Sequence, residues 1–162
     1  MSDRKVLVLY FSWGGHTRKA AKQIAAAIGA DLHELKPEKP YPRLYPICAA
    51  RAKKERDRDE RPAFAALGTD LAAYTDIVIG YPAWWYTCPM LVLSFLAQHD
   101  LAGKDVYLFD THGGSGPVGT EDVRAVCKGR VRDCIDGSHL TNDTIRAWLG
   151  DHDSKEESAW KW

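Results

Sequence analysis

Apolar and polar positions fall into two alternating patterns along the chain. Lys5 to Tyr10 (KVLVLY), Ile77 to Gly80 (IVIG) and Val106 to Phe109 (VYLF) are continuous apolar runs. That pattern belongs to strands buried on both faces. DLHELK, from Asp31, alternates and reads as a more exposed strand, and Val131 to Ile135 reads as a last one. Between the first two, Thr17 to Ile28 (TRKAAKQIAAAI) spaces Ala20, Ala21, Ile24, Ala27 and Ile28 as a helix does, and Gly29 is placed to stop it. MLVLSFLAQH predicts a helix begun near Pro89, Glu121 to Lys128 a second, and Asn142 to Leu149 a third, opened by Thr141 or Asn142. Strands that alternate with helices form βαβ units and a parallel sheet covered on both sides. Right-handed crossovers leave few topologies. The expected fold is α/β, a five-stranded parallel sheet in the doubly wound order 2-1-3-4-5. Residues 1–150 are expected to form one domain and 151–162 a tail.

One stretch breaks the rhythm. Lys36 to Pro62 opens with KPEKPYPRLYP, whose four prolines forbid regular helix, and continues CAARAKKERDRDERP. The second part is a charge-dense helix whose mixed signs allow i,i+4 pairing. It reads either as a solvated helix on the rim of the sheet or as a docking face for a partner.

Bulk composition narrows the class of protein. The 162 residues carry 22 basic and 22 acidic side chains, so no global field recruits nucleic acid or an anionic membrane. No apolar run approaches the length of a membrane span, and the N-terminal segment does not read as a secretory signal. Cys48, Cys88, Cys127 and Cys134 are scattered without a CxxC pair, which fits free thiols in a reducing cytoplasm.

In an open parallel sheet, ligands sit beyond the carboxyl ends of the strands, where the strand order reverses. Three loops of unusual composition converge there. Loop one, SWGGHT, flanks Gly14 and Gly15 with the hydroxyls of Ser12 and Thr17, and a helix N-terminus follows at once. Backbone donors, hydroxyls and a helix dipole suit a phosphate monoester. A plain turn with Thr17 as N-cap would use the same residues. The loop lacks both the Walker lysine and GxGxxG. Loop two, YPAWWYTCP, exposes a large aromatic area unless Trp84 or Trp85 tucks under its neighbours, and a flat aromatic ligand would cover it. Loop three, THGGSGP, lets backbone approach a ligand closely and offers His112 as a proton donor or hydrogen-bond partner. The six histidines show no metal-ligand spacing, so no metal site is expected. A phosphate cradle, an aromatic wall and a glycine-rich wall at one switch point describe a site for flavin mononucleotide (FMN).

These loops also resemble a known family. SWGGHT is similar to the flavodoxin phosphate loop, written [ST]-x-[ST]-G-x-T. YPAWWYTCPM, LAGKDVYLFDTHGGSGPV and YPICAARAKKERDRDERP resemble the bacterial flavodoxin-like FMN proteins in the same order. The resemblance implies a flavodoxin-like three-layer sandwich. It implies that Ser12, Gly15, His16 and Thr17, with the amides of Trp13 and Gly14, bind the FMN phosphate. Pro82, Ala83, Trp84 and Trp85 would line one side of the isoalloxazine, with Tyr86 helping to shape the pocket. Thr111, His112, Gly113, Gly114 and Gly116 would face its other side and pyrimidine edge. Gly14 stands where the family usually has a hydroxyl residue, a loss of about 1 kcal/mol for one neutral hydrogen bond. His16, in place of the usual Asn, could offset it.

Flavodoxins proper are acidic one-electron carriers, whereas this chain is neutral. Two functions are therefore expected to compete. One is a carrier with a redox partner protein. The other is an NAD(P)H- or quinone-dependent oxidoreductase passing two electrons to a small flat acceptor, with His112 as its candidate catalytic residue. In the tail, Trp160 or Trp162 is expected to dock on the chain's own body or on a second copy, the latter giving a homodimer.

Overall fold

The computed structural model describes residues 4–150, so the expectation for Trp160 and Trp162 lies outside the described residues. Strand β1, Val6–Tyr10, sorts its side chains by parity. Leu7 and Leu9 enter one core, Val8 and Tyr10 the other. Strands β3 (Asp76–Pro82) and β4 (Asp105–Thr111) repeat the division, with Ile77, Ile79, Val106 and Leu108 on the first side and Val78, Tyr107 and Phe109 on the second. Two-sided burial explains why these strands read as unbroken apolar runs. With β2 (Asp31–Glu34) and β5 (Arg130–Asp136) they form a five-stranded parallel sheet of order β2-β1-β3-β4-β5, as expected.

Helix α1, His16–Ile28, covers the second side with Ala20, Ala21, Ile24 and Ala25, and ends on Gly29 at φ +67°. Helix α3, Met90–Gln98, lies on the other side, where every residue from Met90 to Leu96 is buried. Helix α4, Thr120–Val126, stops before the predicted Lys128. The chain must turn extended in time for Arg130 N to donate to Lys104 O and open β5. The last helix differs as well. Helix α5 is Asn142–Ile145, with a capping box between Thr141 and Thr144, and it widens into a π-helical turn over Arg146–Gly150. Ile145 and Leu149 still reach the core beside α1. Among the described residues, no helix is long and apolar enough to cross a membrane.

The register of β3 against β4 pairs Gly80 with Phe109, whose ring lies over the glycine. A Cβ on Gly80 would meet Phe109 Cζ at 2.0 Å, so a side chain and that ring cannot share the site.

The charge-dense segment forms helix α2, Tyr45–Asp57. It is not a merely solvated rim helix. Cys48, Ala52 and Glu55 are buried. The Tyr41 hydroxyl donates to Glu55 Oε1 at 2.6 Å, and Arg51 Nε lies 3.1 Å from Glu55 Oε2. The remaining Arg51 donors reach the carbonyls of Pro40 and Lys39. A buried carboxylate so satisfied can remain charged, and it locks the proline-rich coil onto the helix.

Candidate functional site

Loop one begins as β1 ends. Ser12 Oγ accepts the Gly15 amide at 3.0 Å, which folds the loop back on itself. Gly15, at φ +95°, occupies the N-cap of α1. Thr17 is therefore not the cap. It lies two residues beyond the cap in the first turn, buried, with Oγ1 2.7 Å from Thr111 Oγ1 at the end of β4. No side chain caps α1 and its first turn holds no acid, so the amides at its positive end are left for another acceptor. Gly14 and His16 are exposed beside it.

Loop two makes a tight turn. Trp84 and Thr87 exchange backbone hydrogen bonds, and the two residues between them have left-handed backbones, Trp85 at φ +54° and Tyr86 at φ +65°. Glycine or asparagine ordinarily fills such a turn, and each bulky residue there costs about 1–2 kcal/mol. The strain separates the three aromatics. Trp84 points inward, edge-on to Phe11 and Tyr41 at centroid distances of 5.3 and 5.0 Å. Trp85 and Tyr86 point outward, and Tyr86 is 78% exposed.

Loop three is organised by its histidine. His112 Nδ1 accepts the amides of Gly114 at 3.1 Å and Gly116 at 3.3 Å. Both glycines have positive φ, which turns their N–H groups toward one atom. Two donors at Nδ1 leave the ring proton on Nε2, which faces Asp136 Oδ2 at 3.3 Å. Beneath it lies Asp110, wholly buried on β4. Its Oδ2 accepts the Val118 amide at 3.0 Å, while the Tyr81 hydroxyl donates to the Val118 carbonyl at 2.7 Å. Neither Asp110 Oδ1 nor His112 Nε2 has a hydrogen-bond partner, although both atoms are buried. Burial pushes the Asp110 carboxyl up to about 6, against the hydrogen bond from the Val118 amide. Spacing in the sequence could not reveal this Asp110–His112–Asp136 group, because Asp136 arrives from β5.

The loops meet in a cleft of about 600 Å³, within the usual size of a small-molecule site. Of the sixteen residues singled out in the sequence, Trp13, Ala83, Trp84, Trp85, Tyr86, His112, Gly113 and Gly114 line it. The other eight are grouped around its ends. Ser12, Gly14, Gly15, His16 and Thr17 form the uncapped helix start, Pro82 and Thr111 end adjacent strands, and Gly116 hangs on His112. The fourth wall is unexpected. It comes from α2, through Tyr45, Cys48, Ala49 and Ala52. Those positions are i, i+3, i+4 and i+7, an uncharged stripe in an otherwise charged helix, and that stripe was the available signal. Hydrogen bonds tie α2 and the coil before it to the loops. Trp85 Nε1 donates to Ala49 O at 2.9 Å, Arg56 Nη1 to Trp85 O at 3.0 Å, and Trp13 Nε1 to Pro42 O at 2.9 Å.

The sequence model of a flavodoxin family matches residues 5–152. The chain belongs to the flavodoxin family. Among solved structures, a candidate flavoprotein from Bacteroides eggerthii DSM 20697 is 30% identical, covering 90% of this chain and 96% of that one, with a TM-score of 0.80. A flavoprotein from Lactobacillus acidophilus NCFM in complex with FMN is 21% identical, covering 90% and 98%, with a TM-score of 0.73. The FMN-bound flavodoxin of Fusobacterium nucleatum is 13% identical, covering 94% and 98%, with a TM-score of 0.55. The last two establish the shared fold. No curated protein matches the chain. Flavodoxins are an FMN-binding family, and the walls described above suit that cofactor. An acid-free helix start accommodates a phosphate, and aromatic and glycine-rich walls accommodate a flat ring.

Proposed function

We propose that this flavodoxin binds FMN non-covalently at the carboxyl ends of β1, β3 and β4 and serves in electron transfer. The observation that carries this reading is the bare N-terminus of α1, uncapped and free of acid, in the same loop whose Trp13 lines the aromatic cleft. Bound there, the cofactor would supply the redox chemistry. The protein's part is to hold it. The amides of loop one and the Ser12 and Thr17 hydroxyls take the phosphate, Trp84 and Trp85 flank the ring, and the loop-three amides meet its polar edge. Helix α2 keeps water from the fourth side.

A second reading is supported by the exposed rim. Trp85 and Tyr86 stand at the mouth of the cleft, with Lys53 and Arg56 each within 6 Å of the Trp85 ring centroid. Such a rim would accept a small flat acceptor, and the neutral chain lacks the acidic surface of a carrier that docks by charge. On this reading the protein is an NAD(P)H- or quinone-dependent FMN oxidoreductase.

The visible spectrum of the purified protein, with the mass of the released cofactor, tests the first claim. A colourless protein that stays colourless with added FMN would sink it. Steady-state oxidation of NAD(P)H by a quinone, with no added reductase, separates the oxidoreductase from the carrier.

A further inference from the structure

His112 was expected to work as a proton donor or as a partner of the ligand. Its contacts assign it a different task. Nδ1 is engaged by the Gly114 and Gly116 amides, and Nε2 lies 3.3 Å from Asp136 Oδ2 without making a hydrogen bond. The glycines it holds belong to a cleft wall that is otherwise exposed backbone, with Gly113, Gly114 and Ser115 all open to solvent. Ser115 Oγ also donates to the Gly116 carbonyl at 3.1 Å, but the Gly114 and Gly116 amides both go to His112. We propose that His112 is a positioning residue, whose neutral Nδ1 gathers the Gly114 and Gly116 amides into the arrangement that takes the flavin, and whose protonation at Nδ1 releases them. The proposal rests on the FMN reading for the identity of the ligand, but not for the latch itself.

The chemistry is one of donors and acceptors. A neutral imidazole has one acceptor nitrogen, and here two N–H groups share it. A proton added to that nitrogen makes it a third donor facing the first two, so the loop must open. Two carboxyl groups face the ring. From β4 comes Asp110, which burial keeps partly protonated near neutrality. From the end of β5 comes Asp136. Burial works against its charge, but the Ser138 amide and hydroxyl leave its carboxyl below its ordinary value. A charged Asp136 therefore faces Nε2 and fixes the tautomer that keeps Nδ1 free. Tyr81 and Cys134 complete the surroundings of Asp110, and burial holds both in their neutral forms at any relevant pH.

The test compares the full-length chain with His112→Asn and His112→Ala. An asparagine Oδ1 falls near the position of Nδ1 and accepts amides without titrating. FMN affinity, read by flavin fluorescence at pH 7.5 and pH 5, should fall at least tenfold more in the native protein than in His112→Asn. Any pH effect that does not pass through His112 is common to both proteins and cancels. His112→Ala should bind FMN at least tenfold more weakly at pH 7.5. Parallel pH profiles for the native protein and His112→Asn, or unchanged affinity in His112→Ala, would overturn the proposal. A second readout needs no flavin. In the FMN-free protein, the Gly114 and Gly116 amides should show slow hydrogen exchange at pH 7.5 and lose that protection, relative to other loops, at pH 5. In His112→Ala they should be unprotected at both. Equal protection in the native and Ala proteins would refute the latch. Failure of the native protein to bind FMN at pH 7.5 would instead refute the FMN reading, and the exchange experiment would still decide the role of His112.

Discussion

Thr17 Oγ1 and Thr111 Oγ1 lie 2.7 Å apart, both buried, and join the first turn of α1 to the last residue of β4. Loop one ends at the first of these residues and loop three starts at the second, so one hydroxyl contact sets the spacing between the phosphate end of the cleft and its glycine-rich wall.

Replacing either threonine by valine keeps the shape and removes one hydroxyl. Each single change leaves the other hydroxyl unpaired and should lower stability by about 1–2 kcal/mol in urea denaturation. The effects on FMN should differ. Thr17→Val also removes a proposed phosphate donor and should weaken binding by roughly tenfold, whereas Thr111→Val should cost less. Equal losses of affinity would show that Thr17 does not touch the phosphate.

Gly80 is the position where a single methyl group would be felt most. Gly80→Ala drives a Cβ into the Phe109 ring and should destabilise the fold by about 1–3 kcal/mol, the usual range for overpacking a core. Phe109→Leu should recover part of that loss in the Gly80→Ala background, although it is itself destabilising. Additive losses in the double mutant, measured by thermal unfolding, would mean that the two residues are not coupled.

The turn at Trp85 and Tyr86 sets stability against function. Substituting Asn-Gly for the pair suits the left-handed backbone and should raise the melting temperature of the cofactor-free protein by several degrees, relieving about 1–2 kcal/mol at each position. FMN affinity or acceptor turnover should fall in the same variant. A stabilised variant with full activity would show that the two aromatics have no role at the cleft.

Asp110 gives stability a pH dependence of known sign. Its carboxyl is raised from an ordinary 3.8 to about 6 by burial. The folded state therefore holds this proton more tightly than the unfolded chain. Its contribution is fully present below pH 4 and is lost as pH rises through 6, by at most about 3 kcal/mol. Asp110→Asn keeps an acceptor for the Val118 amide and never ionises. It should be the more stable protein at pH 7.5, with the advantage shrinking toward pH 4. Denaturant midpoints at the two pH values decide the matter, and an aspartate that is the better residue at pH 7.5 would refute the assignment.

The sheet was legible in the sequence because two-sided burial writes itself as unbroken apolar runs, from KVLVLY to VYLF. Loop composition pointed to the three loops that meet in the cleft, since glycine and tryptophan clusters have few uses at a strand's carboxyl end. What escaped was tertiary. The charges of CAARAKKERDRDERP masked the Tyr45, Cys48, Ala49 and Ala52 stripe, because a charge run and a cleft wall share one helix and differ only in phase. The role of His112 was unreadable for another reason. Its partners Gly114 and Gly116 are close in sequence, but Asp136 is brought in only by the pairing of β4 with β5.

The insert's attachment has an optical consequence. Two indoles, Trp13 and Trp85, donate their N–H groups to the Pro42 and Ala49 carbonyls of the segment that walls the cleft. An indole that exchanges such a partner for bulk water emits at longer wavelength. The chain's own fluorescence is therefore a gauge of whether that segment is seated, readable without a label and before any cofactor is added.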